Sequence, residues 1–259
     1  MLLTSKQSVV VVTGAGSGIG QATAVAFSKQ GHFVAGLDLS EEGLHKTRSL
    51  LGDDRVHAVT LDVRDEVQVA EALKYVRSTG LNLHAVAACA GVEKTSAVHE
   101  QSEEDWDFIV NINHKDVWLT AKSAMPIFLK QGKGAFVAIG SDASVRGASG
   151  YAPYCASKHG VLGLVRCLAL DYGPSGIRSN AVCPGFVLTP MMDALLSESS
   201  DPEAEMKSYA KEVPLGCFAQ PDDVAKAILH LASDEVSYTN GAIYSLDGGA
   251  TAGHFSSAV

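Results

Sequence analysis

Val9-Val10-Val11-Val12-Thr13-Gly14-Ala15-Gly16-Ser17-Gly18-Ile19-Gly20 joins a β-branched run to a turn with glycine at every second position. Four consecutive valines suit a strand buried on both faces. The helix-friendly segment Gln21-Ala22-Thr23-Ala24-Val25-Ala26-Phe27 follows the turn. Strand, glycine-rich turn and helix are the context that a dinucleotide site requires. Glycine lets the backbone approach a pyrophosphate closely, and the helix N-terminus offers unpaired N–H groups to the anion. The glycine pattern alone is weak evidence, since any tight strand-to-helix turn favours glycine. Its spacing, Gly14-x-x-x-Gly18-x-Gly20, also differs from the commoner G-x-G-x-x-G.

Downstream, the strand pattern His32-Phe33-Val34-Ala35-Gly36-Leu37 ends at Asp38. A carboxylate about 20 residues beyond the glycines is placed to accept hydrogen bonds from an adenosine ribose. It would repel a 2′-phosphate, and neither Gly14 to Gly20 nor Leu39 and Ser40 offer a cation to offset it. NAD(H) is therefore expected over NADP(H), although an Asp at a strand end can also be plain surface. Further strands are expected at Val56 to Leu61, Leu83 to Ala88, Gly134 to Ile139, Ile177 to Cys183 and Ala242 to Leu246. Helical patterns cover 41–51, 66–78, 103–130, 154–172 and 222–233. This alternation over 259 residues predicts one α/β domain, 1–259, with a parallel sheet of about seven strands flanked by helices. Residues 186–218 are irregular, mixing Met191, Met192, Leu195 and Leu196 with a polar run; a lid over a pocket and an inert helical insertion both fit.

The formal net charge of −9, without basic clusters, argues against a nucleic-acid partner. Five cysteines with no CxxC pairing predict reduced thiols. No apolar stretch approaches a membrane span, and the N-terminus lacks a basic leader and cleavage-like site, so a cytoplasmic location is expected. No metal site is read from the sequence.

A second constellation lies in mid-chain. Tyr154 and Lys158, within Tyr154-Cys155-Ala156-Ser157-Lys158, share one face if the run is helical. The neighbouring ammonium is expected to draw the phenol's pKa down from about 10. Ser141 follows the strand pattern Ala135-Phe136-Val137-Ala138-Ile139 and can present a hydroxyl from a strand end. A donor, a tunable acid/base and a fixed cation are what proton transfer at an alcohol oxygen demands. A Tyr-x-x-x-Lys pair by itself is usually a solvated helix face.

Together with Asn180-Ala181-Val182-Cys183-Pro184-Gly185 and Asp247-Gly248-Gly249, these segments make the chain resemble the short-chain dehydrogenase/reductases from first strand to last. The resemblance implies a Rossmann-like fold, Tyr154 as general acid/base, Lys158 as its activator and ribose ligand, and Ser141 orienting the substrate oxygen. Asn113 matches the fourth catalytic position, holding a relay water near Lys158, although an Asn that only kinks the helix fits too. The implied coenzyme contacts are Gly14, Ser17, Gly18, Ile19, Gly20, Asp38 and Leu39. Asp62 and Val63 match the adenine segment, Cys89, Ala90 and Gly91 follow the fourth strand, and Pro184, Gly185, Val187 and Thr189 match the carboxamide segment. A homo-oligomer, tetramer or dimer, is also implied, with Val161, Leu162, Leu164, Val165 and Leu168 on the helix of Tyr154 available for it or for the sheet.

Two positions depart from the family's pattern. Cys89 stands where an Asn is common, either as a small buried residue or as a reactive thiol. Asp116 replaces a frequent Gly and can adjust a helix kink or accept a hydrogen bond. By family position the substrate pocket draws on Glu93, Lys94, Asp142, Arg146, Tyr151, Phe186 and Met191. Arg146 pairs there with a substrate carboxylate or with a protein one. The expected substrate is a small polar or cyclic secondary alcohol, or its ketone, carrying further hydroxyl or carboxylate groups. A 3-oxoacyl-carrier-protein reductase and a non-catalytic NAD(H) sensor are the alternatives.

Overall fold

The computed structural model describes residues 8–52 and 55–254. The reading of the N-terminus as leaderless and the outer limits of the 1–259 domain lie outside those residues. The valine run forms β1 (Ser8–Thr13), with Val9 and Val11 in one core and Val10 and Val12 in the other. That two-sided burial follows from the period-2 alternation of strand side chains. It is why the run contains no polar partner residues.

The strands β2 (Phe33–Asp38), β3 (Val56–Thr60), β4 (Asn82–Ala88), β5 (Gly134–Ile139), β6 (Ile177–Pro184) and β7 (Ile243–Leu246) complete a sheet ordered β3-β2-β1-β4-β5-β6-β7. Every pairing is parallel. One face carries α1 (Gly18–Lys29), α2 (Glu41–Leu51) and α9 (Pro221–Ala232), packed through Ala24, Phe27, Leu44, Val224 and Ile228. The other carries α3 (Glu66–Ser78), α5 (Asp116–Gln131) and α6 (Ala152–Tyr172), through Val69, Leu73, Val117, Phe128, Val161 and Val165. Strand order reverses between β1 and β4. In open α/β sheets ligands bind outside the carboxyl ends of the strands at that reversal.

Two expectations change. The pattern over 103–130 predicted one helix, whereas α4 (Glu103–Val110) is joined to α5 by a π-turn at Asn111–Lys115. An α-compatible sequence does not reveal the one extra residue that such a turn accommodates. Residues 186–218 resolve into α7 (Pro190–Ser197) and α8 (Pro202–Glu212). Each starts with proline in its first turn after a side-chain cap, from Thr189 and Asp201 respectively. Among the described residues no helix is long and apolar enough to cross a membrane.

Candidate active site

The β1–α1 turn is built by contacts that leave no room for side chains. A Cβ on Gly20 would lie 2.1 Å from the Gly14 carbonyl oxygen, and one on Gly14 would lie 2.9 Å from the Ala90 backbone. Gly14 and Gly18 also take φ of +67° and +49°, which side chains disfavour. Ser17 occupies the N-cap of α1 without a side-chain cap, and the first turn holds no acidic residue. By contrast α2, α3 and α4 are capped by Ser40, Asp65 and Ser102 and carry acids in their first turns. The positive end of α1 is thus left for an external anion, which fits a pyrophosphate.

A cavity of about 320 Å³ opens above this turn and is lined by Gly14, Ser17, Gly18, Ile19, Gly20, Asp38, Leu39, Asp62, Val63, Cys89, Ala90, Gly91 and Thr189. Asp38 accepts hydrogen bonds from Gly16 N and Ser40 N, both at 2.8 Å, which fixes its carboxylate beside the glycines. Arg64 and Phe108 also line the cavity and were not singled out in the sequence. The Arg64 guanidinium is held by Asp62 at 2.6 Å. In the place of the usual Asn, Cys89 leaves the strand tie to Thr13, whose Oγ1 accepts from Cys89 N and Ala90 N at 3.1 Å each. Burial pushes the Cys89 thiol up to about 12, so it is a packed, unreactive thiol at neutral pH.

A second cavity, about 460 Å³, adjoins the first and shares Ile19, Thr189 and Met191 with it. It collects Ser141 and Tyr154 with Glu93, Asp142, Arg146, Tyr151 and Phe186, and also Pro184, Gly185 and Val187. Tyr209 and Glu212 of α8 complete it, and sequence reading missed both. Tyr209 stacks on Phe186 with ring centroids 5.0 Å apart. A lone aromatic in the polar run Pro202–Glu212 was the available signal. Lys94 does not belong to this pocket: it is exposed and paired with Asp105 at 2.5 Å. Arg146 binds Asp142 at 2.5 Å, so the protein carboxylate is the partner it takes.

Gly140 brings Ser141 to the pocket after β5. A Cβ there would sit 2.7 Å from Cys183 Sγ. The Ser141 hydroxyl donates to Asp142 Oδ1 at 3.0 Å and accepts from Ala143 N at 3.1 Å. Lys158 is buried, with Nζ donating to the Ile139 carbonyl at 3.0 Å and lying 5.7 Å from the Tyr154 ring centroid. Desolvation lowers the Lys158 ammonium to about 8, against the opposing pull of Cys183, Cys89 and Asp116. The Tyr154 phenol is raised above its ordinary value by desolvation, with Ser141 opposing and Glu93 and Asp142 adding to the rise. This reverses the direction expected from the sequence. The reason is that the Lys158 ammonium addresses a carbonyl and the ring face, while burial acts on the phenolic oxygen itself.

Asn113 sits in the π-turn, fully buried. Its Oδ1 accepts from Val92 N at 2.8 Å, and its Nδ2 donates to Val92 O at 2.9 Å and Ser157 Oγ at 3.3 Å. The amide therefore ties the loop after β4 to α6. Gly91 lies between Asn113 and Lys158, its missing Cβ falling 3.4 Å from Asn113 Oδ1 and 3.6 Å from Lys158 Nζ. Asp116, three residues on, is buried and accepts from Thr120 Oγ1 at 2.9 Å, while its Oδ2 has no partner. It accepts a hydrogen bond, one of the two roles left open above. Desolvation raises it to about 7.

A larger cavity, about 1120 Å³, lies at the amino ends of the strands around Ser8, Asn82 and Gly134 and contains none of these residues. Its cations are engaged, Lys133 with Asp234 at 2.6 Å and Arg178 with backbone carbonyls. The two adjoining cavities at the carboxyl ends are the site.

A glycine-built turn at a sheet's reversal point, beside a Ser–Tyr–Lys set, fits the class of oxidoreductases that use a nicotinamide dinucleotide. A family profile described as enoyl-(acyl carrier protein) reductase matches residues 14–251. The chain is 36% identical to the 3-oxoacyl-[acyl-carrier-protein] reductase FabG of Thermotoga maritima, over 93% of this chain and 96% of that one. Levodione reductase superposes with a TM-score of 0.92 at 30% identity, covering 95% of this chain and 98% of the other. A Beutenbergia cavernae protein provisionally named an NAD(P)-dependent gluconate 5-dehydrogenase, with NADP at low occupancy, gives 0.87 at 31%, covering 95% and 97%. The chain belongs to the short-chain dehydrogenase/reductase family.

Proposed function

We propose that this protein is an NAD(H)-dependent dehydrogenase of a small polar or cyclic secondary alcohol, run in reverse as a ketone reductase. The observation that carries the reading is the entry of Ser141 and Tyr154 into a cavity contiguous with the dinucleotide cleft, over a buried Lys158. When bound, the coenzyme supplies the hydride acceptor or donor at its nicotinamide ring. Ser141 donates to the substrate oxygen once its hydroxyl turns from Asp142. Tyr154 Oη takes the alcohol proton in oxidation and returns it in reduction. Lys158 spends one N–H on Ile139 and has two left for a ribose and a relay water. Asn113 acts on that relay through the backbone it holds, since its own amide is committed. Pro184, Gly185 and Val187 line the second cavity and Thr189 lines both; this segment is assigned to the nicotinamide carboxamide.

Asp38 supports NAD(H), because its fixed carboxylate faces the place a ribose would take. The protein is further proposed to be cytoplasmic, on its five free cysteines, and a homo-oligomer. Val161, Leu162, Val165 and Leu168 are consumed in the sheet-facing core. Assembly is instead assigned to the exposed Trp118 of α5 and Leu170 of α6.

A second reading, carrier-linked 3-oxoacyl reduction, is favoured by the FabG relationship. The net charge of −9 opposes docking of an acidic carrier. Secondary alcohols, ketones and acetoacetyl-CoA assayed with NAD(H) and NADP(H) separately decide between them. Turnover of simple alcohols with NAD⁺ is the expected result. Acetoacetyl-CoA reduction with NADPH as the sole activity supports the second reading, and tight NADH binding with a dead panel leaves a sensor.

A further inference from the structure

Glu93 presents an unsatisfied hydrogen-bond acceptor to the cavity proposed for the substrate. It lines the same cavity as Ser141 and Tyr154, and its Oε1 is buried with no hydrogen-bond partner. Leaving such an oxygen unpaired costs free energy that a ligand donor would recover. The cations nearby are spent, Lys94 on Asp105 and Arg146 on Asp142. Burial and the charge of Glu198 hold the Glu93 carboxyl up at about 7, and Glu93 in turn raises the phenols of Tyr151, Tyr154 and Tyr209. All three rings line the same cavity as Glu93.

We propose that Glu93 accepts a hydrogen bond from a second hydroxyl of the substrate, which makes the substrate class diols and hydroxyketones, not monohydric alcohols or hydroxy acids. The inference rests on the alcohol-dehydrogenase reading above. A substrate carboxylate would meet Glu93 and Glu212, with the charge of Glu198 acting on Glu93 and no unpaired cation among the described cavity residues, so the extra carboxylate allowed by the sequence is not part of the proposal. In the reaction one carbinol C–H bond breaks and its electron pair passes as hydride to NAD⁺. The O–H proton of that carbinol goes to Tyr154, while the second hydroxyl keeps its proton and points it at Glu93. The products are a hydroxyketone, NADH and a proton.

The test compares cyclohexanol, trans-1,2-cyclohexanediol and 2-hydroxycyclohexanecarboxylate with wild type, Glu93→Gln and Glu93→Leu. Assayed above the Glu93 pKa of about 7, where the group is ionised, a charged hydrogen bond predicts a kcat/KM for the diol about tenfold or more above that for cyclohexanol. That ratio should collapse towards one in Glu93→Leu and persist in part in Glu93→Gln, which retains an acceptor. An unchanged ratio in Glu93→Leu, or preference for the carboxylate, overturns the proposal. If no alcohol is oxidised the dehydrogenase reading fails, and thermal shift with NADH and the diol then judges Glu93 by itself. A diol-dependent shift in wild type absent from Glu93→Leu supports the assignment, and equal shifts refute it.

Discussion

In the proposed reaction Tyr154 must lose a proton from a place where burial makes that loss harder. Its usefulness depends on charge brought close to its oxygen when the cleft fills. Tyr154→Phe should lower turnover by about 10²–10⁴ while NADH affinity, read by fluorescence titration, stays near wild type. Near-normal turnover would remove the tyrosine from its role. Asp116 behaves differently, because nothing in proton transfer uses it. Its carboxyl rises from 3.8 to about 7 on folding, so the folded chain binds a proton that the unfolded chain has released. That penalty is absent below pH 3.8, grows through the interval, and is complete above about 7. Asp116→Asn should therefore be the more stable protein at pH 8, by about 2–4 kcal/mol, with the advantage fading towards pH 4. Urea denaturation at the two pH values measures it, and a pH-independent difference would contradict the account.

At the scale of elements, the β1–α1 turn is the least forgiving. Gly20→Ala forces a Cβ against the Gly14 carbonyl, which is backbone and cannot swing aside. The expected cost is about 1–3 kcal/mol of stability, with NADH binding weakened about tenfold or more. Unchanged NADH affinity would show that the turn does not cradle the coenzyme. The seven strands were legible because each is a short apolar run bounded by glycine, proline or polar residues, as in Gly134–Ile139. Only the fold brings Arg64, Phe108, Tyr209 and Glu212 to the cavities, whereas the glycine turn, Ser141 and Tyr154 were legible through motif spacing. The π-turn at Asn111–Lys115 was not, since its cause is tertiary: the Asn113 amide bonds Val92 and Ser157, and the ring of His114 packs on Gly160. Nor could the direction of the Tyr154 shift be read from i,i+4 spacing, which shows proximity but neither burial nor where the ammonium points. The α8 helix left its mark in Asp201-Pro202, a cap followed by proline, but only the fold shows that it carries Tyr209 to the pocket.

On the scale of the whole molecule, the sheet is closed on both faces by helices, and the exposed large apolar side chains are scattered over the surface, from Leu39 and Val67 to Leu215 and Tyr238. Trp118 and Leu170, 43% and 77% exposed, belong to α5 and α6. A stable contact between copies buries about 1,200 Å² or more, and these two residues are proposed to contribute to it. Sedimentation of the wild type should give a multimer at micromolar concentration, and Trp118→Glu with Leu170→Glu should shift it towards a monomer. A wild-type monomer throughout would remove this surface from consideration. The strand order has an effect on biosynthesis as well. Because β4 must lie beside β1, the cleft's floor pairs segments some 70 residues apart. Its far wall, Thr189, emerges more than a hundred residues after the glycines. A nascent chain on the ribosome therefore presents its glycine turn long before Thr189 exists to complete the cleft, which is not fully lined until translation has passed the start of α7.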